Sequence, residues 1–182
     1  YALLYRSHFA LIRNPLITSY GLDTSALFGF INQILKLIRK ENPDFLVCAF
    51  DSKGKNFRHE MYDLYKANRP EMPIELQNQL PHLWESLDAL RIPIIKKKGF
   101  EADDIIGTLV TEAEKHGLLS YIVSGDKDFM QLINEKVFLY APGSRKSPDP
   151  IIYDSKKVEE RWGVPPQKII DLLGLMLSLI HI

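Results

Sequence analysis

Apolar residues recur at helical spacing in "TSALFGFINQILKLIRK" (24–40), where Leu27, Phe28, Ile31, Ile34, Leu35 and Ile38 share a face and Lys and Arg collect at the C-terminal end. The pattern predicts a helix closed by Asn42-Pro43. The next run, "FLVCAFD", stays apolar up to Asp51, as expected of a strand buried on both faces of a parallel sheet. Between Ser52 and Pro73 the pattern dissolves into polar and basic residues. Helical spacing returns over 74–90, with Pro81 predicting a break or a fresh start. A short strand "IPII", an amphipathic helix "ADDIIGTLVTEAEKHG" ended by Gly117, and a strand "LLSYIVSGD" follow. A helix, a strand "KVFLYA", a Pro/Gly/Ser loop at 142–150, a strand "IIY" and helices at 154–162 and 166–175 complete the reading. Strands alternating with helices predict an α/β fold with a mostly parallel central sheet flanked by helices.

Composition adds limits rather than direction. The 182 residues are 46% hydrophobic and 25% charged, enough for a sizeable core in one domain. With 23 Lys+Arg against 23 Asp+Glu, the whole chain exerts no electrostatic pull toward nucleic acid or membrane, so any such pull has to come from local segregation of charge. Cys48 is the sole cysteine, set in an apolar run, which excludes an internal disulfide and suits a reducing, cytoplasmic compartment. No apolar stretch approaches the roughly 20 residues that span a bilayer, and no membrane partner is expected.

The candidate chemistry lies at strand ends. Asp51 ends one predicted strand, Glu101, Asp103 and Asp104 follow a second, and Asp126 and Asp128 follow a third. In open α/β sheets the active crevice lies beyond the carboxyl ends of the strands. Glu101 and Asp104, spaced i, i+3, share a helix face, with Asp103 able to turn inward in an adjustable first turn. Asp126 and Asp128 fall on one side if their link is extended, Gly125 permitting a tight turn. Each motif alone reads as readily as a helix cap or a polar turn; their joint placement favours a single acidic pocket. Six carboxylates crowded together need a cation, and an all-oxygen set without Cys or His suits two Mg²⁺ ions, or Mn²⁺. Two such ions about 3.5–4 Å apart are the usual device for in-line phosphodiester hydrolysis.

Directly after Asp51, the stretch 52–70 holds Lys53, Lys55, Arg58, Lys66 and Arg69 against only Glu60 and Asp63, with Phe57, Tyr62 and Tyr65 between them. Basic side chains contact phosphates and aromatic faces stack on unpaired bases, although a charge run is more often a solvated face and one of the two tyrosines, spaced i, i+3, suits packing. "KKK" at 96–98 admits the same two readings. No histidine has partners at metal-ligand spacing, and none is assigned to catalysis.

Together, "AFDSKGKNFRHEMYDLYKANRPEMP", "GFEADDIIGTL" and "SGDKDFMQLI" resemble the 5′ nuclease (flap endonuclease) family in its bacterial form, the 5′→3′ exonuclease domain at the N-terminus of DNA polymerase I or its free-standing relatives. The similarity runs from Tyr1 to about Met176. It implies a PIN-like 5′ nuclease fold and a Mg²⁺-dependent, structure-selective hydrolase acting on DNA with a 5′ flap or on nicked duplex, in primer removal and repair. Asp51, Glu101, Asp103 and Asp104 would bind the first metal, and Asp126 and Asp128 the second. Asp51, Asp104, Lys66 and Arg6 would be catalytic, and Arg6, Lys55, Arg58, Tyr62, Lys66 and Arg69 would contact DNA. The stretch from Lys66 to Leu90 would form a helical arch over a threaded single strand, on a monomer, with or without a fused polymerase domain.

Two departures qualify the resemblance. The family has an Asp in an "I-D-G" turn just before the position of Tyr1, and a "G-D-x-S-D-N" motif where this chain reads "LSLIHI". The expectation is therefore a 5′ nuclease domain over 1–176, incomplete at both ends, with a non-matching tail at 177–182 and weak or absent activity. The alternatives are a non-catalytic module of the same fold that binds branched DNA, and a PIN-type ribonuclease.

Overall fold

A computed structural model describes residues 1–143 and 149–180, the stretch 177–180 as helical backbone only. The chain divides into two compact units, Tyr1–Ile105 and Ile106–Ile182. The loop expected at 142–150 lies largely outside the described residues, as do 181 and 182 of the expected tail. Among the described residues no helix is long and apolar enough to cross a membrane.

In unit 1, helices α1 (Ala2–Leu11) and α2 (Ser25–Glu41) lead to a parallel strand pair, β1 (Cys48–Ala49) and β2 (Ile94–Ile95). The α2 span fits its amphipathic pattern, and Asn42 ends it in the left-handed conformation, φ 42°. Helix α1 was not legible as such, because no capping residue precedes it. It packs closely on α2 at Gly29, where an added Cβ would lie 2.6 Å from the Ser7 Cβ. Between the strands come α3 (Phe57–Met61), α4 (Ile74–Gln77) and α5 (Leu80–Ala89), with Pro81 in the first turn of α5. Leu76, Leu83 and Leu87 are fully buried, in one core with Leu4, Ala26, Phe30, Ile34 and Phe50. The Phe50 ring meets Trp84 edge-on, centroids 4.7 Å apart.

That burial corrects the range of the expected arch. Residues 74–89 form a core layer of unit 1, because Leu76 of α4 and Leu83 and Leu87 of α5 are covered, so they cannot stand away from the body. The turns of 62–71 remain outside it, while Met72 packs against the core. Cys48 is half-buried, and burial pushes its thiol up to about 11, leaving a packing residue without thiolate character.

Helix α6 (Ala102–Lys115) ends before Gly117, φ 76°. Unit 2 then holds β3 (Ser120–Val123), β4 (Val137–Ala141) and β5 (Ile151–Tyr153) in the order β3-β4-β5. β3 and β4 are parallel, joined through a 3₁₀ helix, Lys127–Leu132, while β5 returns antiparallel to β4. Helices α7 (Ser155–Trp162) and α8 (Ile169–Ile180) follow, and Asp154 caps α7 by accepting from the Lys157 amide at 2.8 Å. Val110, Ile122, Phe129, Met130, Leu139, Val158 and Ile169 belong to the core. The α/β class holds; among the described residues the ladders between strands are a two-stranded and a three-stranded sheet, one in each unit.

Gln79 is fully buried yet polar, and both ends of its amide are used. Its Oε1 accepts from the Leu27 amide in the first turn of α2 (3.0 Å), and its Nε2 donates to the Glu75 carbonyl (2.9 Å). Thr24, the N-cap of α2, provides no side-chain cap, so Gln79 serves that end from a distance. Gln79→Leu should therefore lower stability by about 2 kcal/mol, since it leaves two partly buried backbone groups unpaired; urea unfolding with an unchanged m-value is the measurement.

Candidate metal and phosphate site

β1 and β2 run in the same direction, so the residues just past them emerge at one edge of unit 1. Hydrogen bonds continue the pairing beyond the strands. The Phe50 amide donates to the Ile95 carbonyl (3.0 Å), the Ser52 hydroxyl to the Lys97 carbonyl (3.0 Å), and the Ala102 amide to Asp51 Oδ1 (2.8 Å). Asp51 and the start of α6 are thereby fastened together. Asp104 accepts from the Glu101 amide (2.9 Å), closing the first turn of α6.

A cleft of about 170 Å³ opens here, lined by Asp51, Ser52, Gly54, Asn56, His59, Lys66, Arg69, Phe100 and Glu101. The basic segment reaches into it. Arg58 grips Asp104 with both ends of its guanidinium, Nη1 to Oδ2 at 2.8 Å and Nη2 to Oδ1 at 2.7 Å. Lys66 Nζ lies 2.8 Å from Glu101 Oε1, the Tyr65 hydroxyl donates to Glu101 Oε2 at 3.1 Å, and Asn56 Nδ2 donates to Oε1 at 2.7 Å. Burial pushes the Glu101 carboxyl up, but Lys66, Tyr65 and Arg58 outweigh it and hold the group below the usual range. The Arg58 guanidinium holds Asp104 low, and Arg58 itself is raised by Asp104. Lys66 loses by desolvation and gains more from Glu101 and Tyr65 together, so its ammonium is stabilised on balance.

Four expected site residues, Asp51, Glu101, Lys66 and Arg69, thus line one cleft, with Asp104 and Arg58 bonded beside it. Asp103 is exposed on α6 and is not among the residues that line the cleft. Arg58 faces a carboxylate and is not displayed to solvent as a free phosphate contact. Of the two tyrosines Tyr65 is the engaged one, while Tyr62 is 59% exposed. Lys55 and Arg6 are exposed, Arg6 on α1.

In unit 2, Asp126 and Asp128 follow β3 as expected, but their link is not extended. Asp126 caps the 3₁₀ helix, accepting from the Asp128 amide at 3.0 Å, and Asp128 lies in its first turn. The pair remains close: burial and the charge of Asp126 both raise the Asp128 pKa. Gly125 has no positive φ, so the turn does not require glycine.

The acidic donors of unit 1 are carboxylate oxygens, which suit a hard divalent cation. Among the described residues of the unit, no three of these carboxylates are gathered as one metal-binding group. Arg58 and Lys66 hold the lone pairs that an ion would use.

Asn56 is the functional residue that the sequence reading missed. Buried at 7% exposure, it caps α3 through the Arg58 and His59 amides (3.1 and 3.3 Å) and holds Glu101 with its other end. The signal was present as an N-cap residue before "FRHE". His59 backs it, with Nδ1 2.7 Å from Asn56 Oδ1 and its ring edge-on to Tyr65.

A family model described as 5′-3′ exonuclease, N-terminal resolvase-like domain, matches residues 1–163. The chain belongs to this exonuclease family. It is 40% identical over 177 residues to DNA polymerase I of Caldicellulosiruptor bescii, covering 96% of this chain and 20% of the polymerase. It is 38% identical over 175 residues to the 5′-3′ exonuclease of Aquifex aeolicus, covering 96% of this chain and 58% of that protein. The chain therefore spans about a fifth of the one relative and rather more than half of the other. Zinc-bound T5 5′-exonuclease superposes with a TM-score of 0.64 over 90% of this chain and 58% of that one, at 21% identity, a likeness of fold.

Because Asp104 and Glu101 are both depressed, their ion pairs contribute stability above the ordinary carboxylate range and lose it as pH falls through the lowered values. Arg58→Gln should cost about 1 kcal/mol at pH 7, with the difference from the parent shrinking as pH falls below the ordinary carboxylate range; urea midpoints from neutral to acid pH measure it.

Proposed function

We propose that this exonuclease-family chain is a divalent-metal-dependent, structure-selective 5′ nuclease that hydrolyses DNA phosphodiester bonds near a junction of single strand and duplex. The observation that carries the reading is the unit 1 cleft, where Asp51 and Glu101 share one wall with Lys66 and Arg69 at the carboxyl end of a parallel strand pair. Carboxylates alone suit a metal, cations alone suit a phosphate, and a metal-dependent phosphodiesterase needs both within reach of the same phosphate. The relatives support the class by name, and the T5 5′-exonuclease holds divalent metal ions.

Asp51, Glu101 and Asp104 would hold the first ion, Mg²⁺ or Mn²⁺, with Asp103 nearby on α6, and Asp126 and Asp128 are assigned to the second. Bound there, such ions lower the pKa of water and stabilise charge on the departing oxygen. The chain's own contribution is orientation and charge. Lys66 and Arg69 hold the phosphate against the carboxylate wall, Arg6 and Lys55 extend the path of the backbone, and Tyr62, exposed in the basic segment, offers a face for a base. Loss of one such donor typically costs about 10²–10³ in rate.

One observation favours a second reading, a non-catalytic binder of branched DNA. Two of the expected metal ligands are already neutralised by Arg58 and Lys66. Equilibrium binding of a 5′-flap DNA beside a Mg²⁺ cleavage time course separates the two. Cleavage that stops with EDTA and returns with Mg²⁺ supports the nuclease, and tight binding with no cleavage supports the binder. Asp126→Asn should remove at least a hundredfold of the cleavage rate and leave flap affinity within about twofold. A collapse of binding with normal turnover of what remains bound would overturn the metal assignment.

A further inference from the structure

Glu101 and Asp104 are spent on Lys66 and Arg58. Both oxygens of Glu101 are engaged, Oε1 by Lys66 and Asn56 and Oε2 by Tyr65, with Arg58 Nη1 at 3.7 Å. Both oxygens of Asp104 lie in the Arg58 fork. A divalent ion needs those same lone pairs, and a DNA phosphate needs those same N–H groups.

The segment that carries the cations has little else to hold it. No residue from Phe57 to Pro70 is buried, whereas Asn56 just before it is. Regular structure in this stretch is limited to the five-residue α3. A stretch with few buried contacts opens at low free energy, and here the anchors are Arg58 on Asp104, Lys66 and Tyr65 on Glu101, and Phe57 on Gly99 and Phe100.

We propose that Arg58 and Lys66 form an internal counter-ion latch that closes the acidic cleft to metal in the free protein, so that metal loading and DNA binding each strengthen the other. This rests on the DNA-directed reading above. With the latch closed, the carboxylates are compensated and the cations are engaged on them. A strand that draws Arg58 and Lys66 onto its phosphates leaves the carboxylates uncompensated and ready for a cation; metal that enters first releases the cations to a strand. Both ligands select the open arrangement, and linkage makes the coupling reciprocal. A nuclease built this way carries little metal until its substrate is in place.

The test uses the full chain with Ca²⁺ as the probe, by calorimetry and by hydrogen exchange, without and with a 5′-flap DNA and with Ca²⁺ binding to DNA alone subtracted. Flap DNA should tighten Ca²⁺ binding about tenfold, within the common range of coupling. Ca²⁺ without DNA should speed amide exchange over 57–70, and DNA added afterwards should slow it again. A metal that merely firms the fold would slow exchange from the outset, and that result overturns the latch.

Arg58→Lys separates the latch from simple charge, since it keeps the cation and loses the two-pronged grip. It should bind Ca²⁺ several-fold more tightly than the parent in the absence of DNA and exchange faster over 57–70 before any metal is added. Arg58→Gln should tighten Ca²⁺ binding further, and Lys97→Gln, which removes a cation that packs on Phe100, should do so by less than twofold. Circular dichroism confirms that each variant is folded. Parent-like Ca²⁺ affinity in Arg58→Lys, or Ca²⁺ and DNA binding independently of each other, overturns the latch and leaves the nuclease reading standing. Failure of the parent chain to bind flap DNA overturns both.

Discussion

Asp51 and the amide of Ala102 are 51 residues apart in the chain, and the hydrogen bond between them exists because β1 and β2 lie side by side in the same direction. Everything described in the unit 1 cleft hangs on that pairing. It brings a carboxylate from the end of one strand to the start of α6, where Glu101 and Asp104 are already fixed by the helix's first turn. A reversal of either strand would send Asp51 to the opposite edge. The aromatic contacts of Phe50, the residue before Asp51, hold the strand end from beneath.

Electrostatics sets the second constraint. Carboxylates brought this close raise one another's pKa unless a cation intervenes. In this chain the neutralising charge comes from the connection between the same two strands, so the insertion that delivers the cations is also the one the strands require. In unit 2, burial and the neighbouring Asp126 act on Asp128 in the same direction and its pKa rises, although Lys127 works against them.

Much of this is legible in the amino-acid sequence. The period of 24–40 gave α2 nearly to the residue, Pro81 marked the start of α5, Gly117 marked the end of α6, and the strand ends did deliver carboxylates. What was not legible had physical reasons. Helix α1 begins without a cap, and α3 is too short for a period to show. The grip of Arg58 on Asp104 spans 46 residues, and sequence order carries no trace of it. Composition sorted Arg58 with the phosphate contacts, correctly as to charge, but could not show that a carboxylate already held it. The extended arch failed for a readable reason: Leu76, Leu83 and Leu87 repeat at helical spacing, the mark of a face that wants cover.

The wide separation of partners in unit 1 also fixes an order in time. Leu27 waits for Gln79, and Cys48 for Ile94, so α1 and α2 leave the ribosome well before the elements that cover them. At roughly 5–20 residues per second, the wait between the end of α2 and the arrival of β2 is on the order of 3–10 seconds, during which Phe30 and Ile34 have no full core to enter. The cleft is completed last, when Glu101 and Asp104 emerge. A nascent chain therefore cannot assemble its acidic wall around a stray cation before the hydrophobic layer beneath it is ready to close.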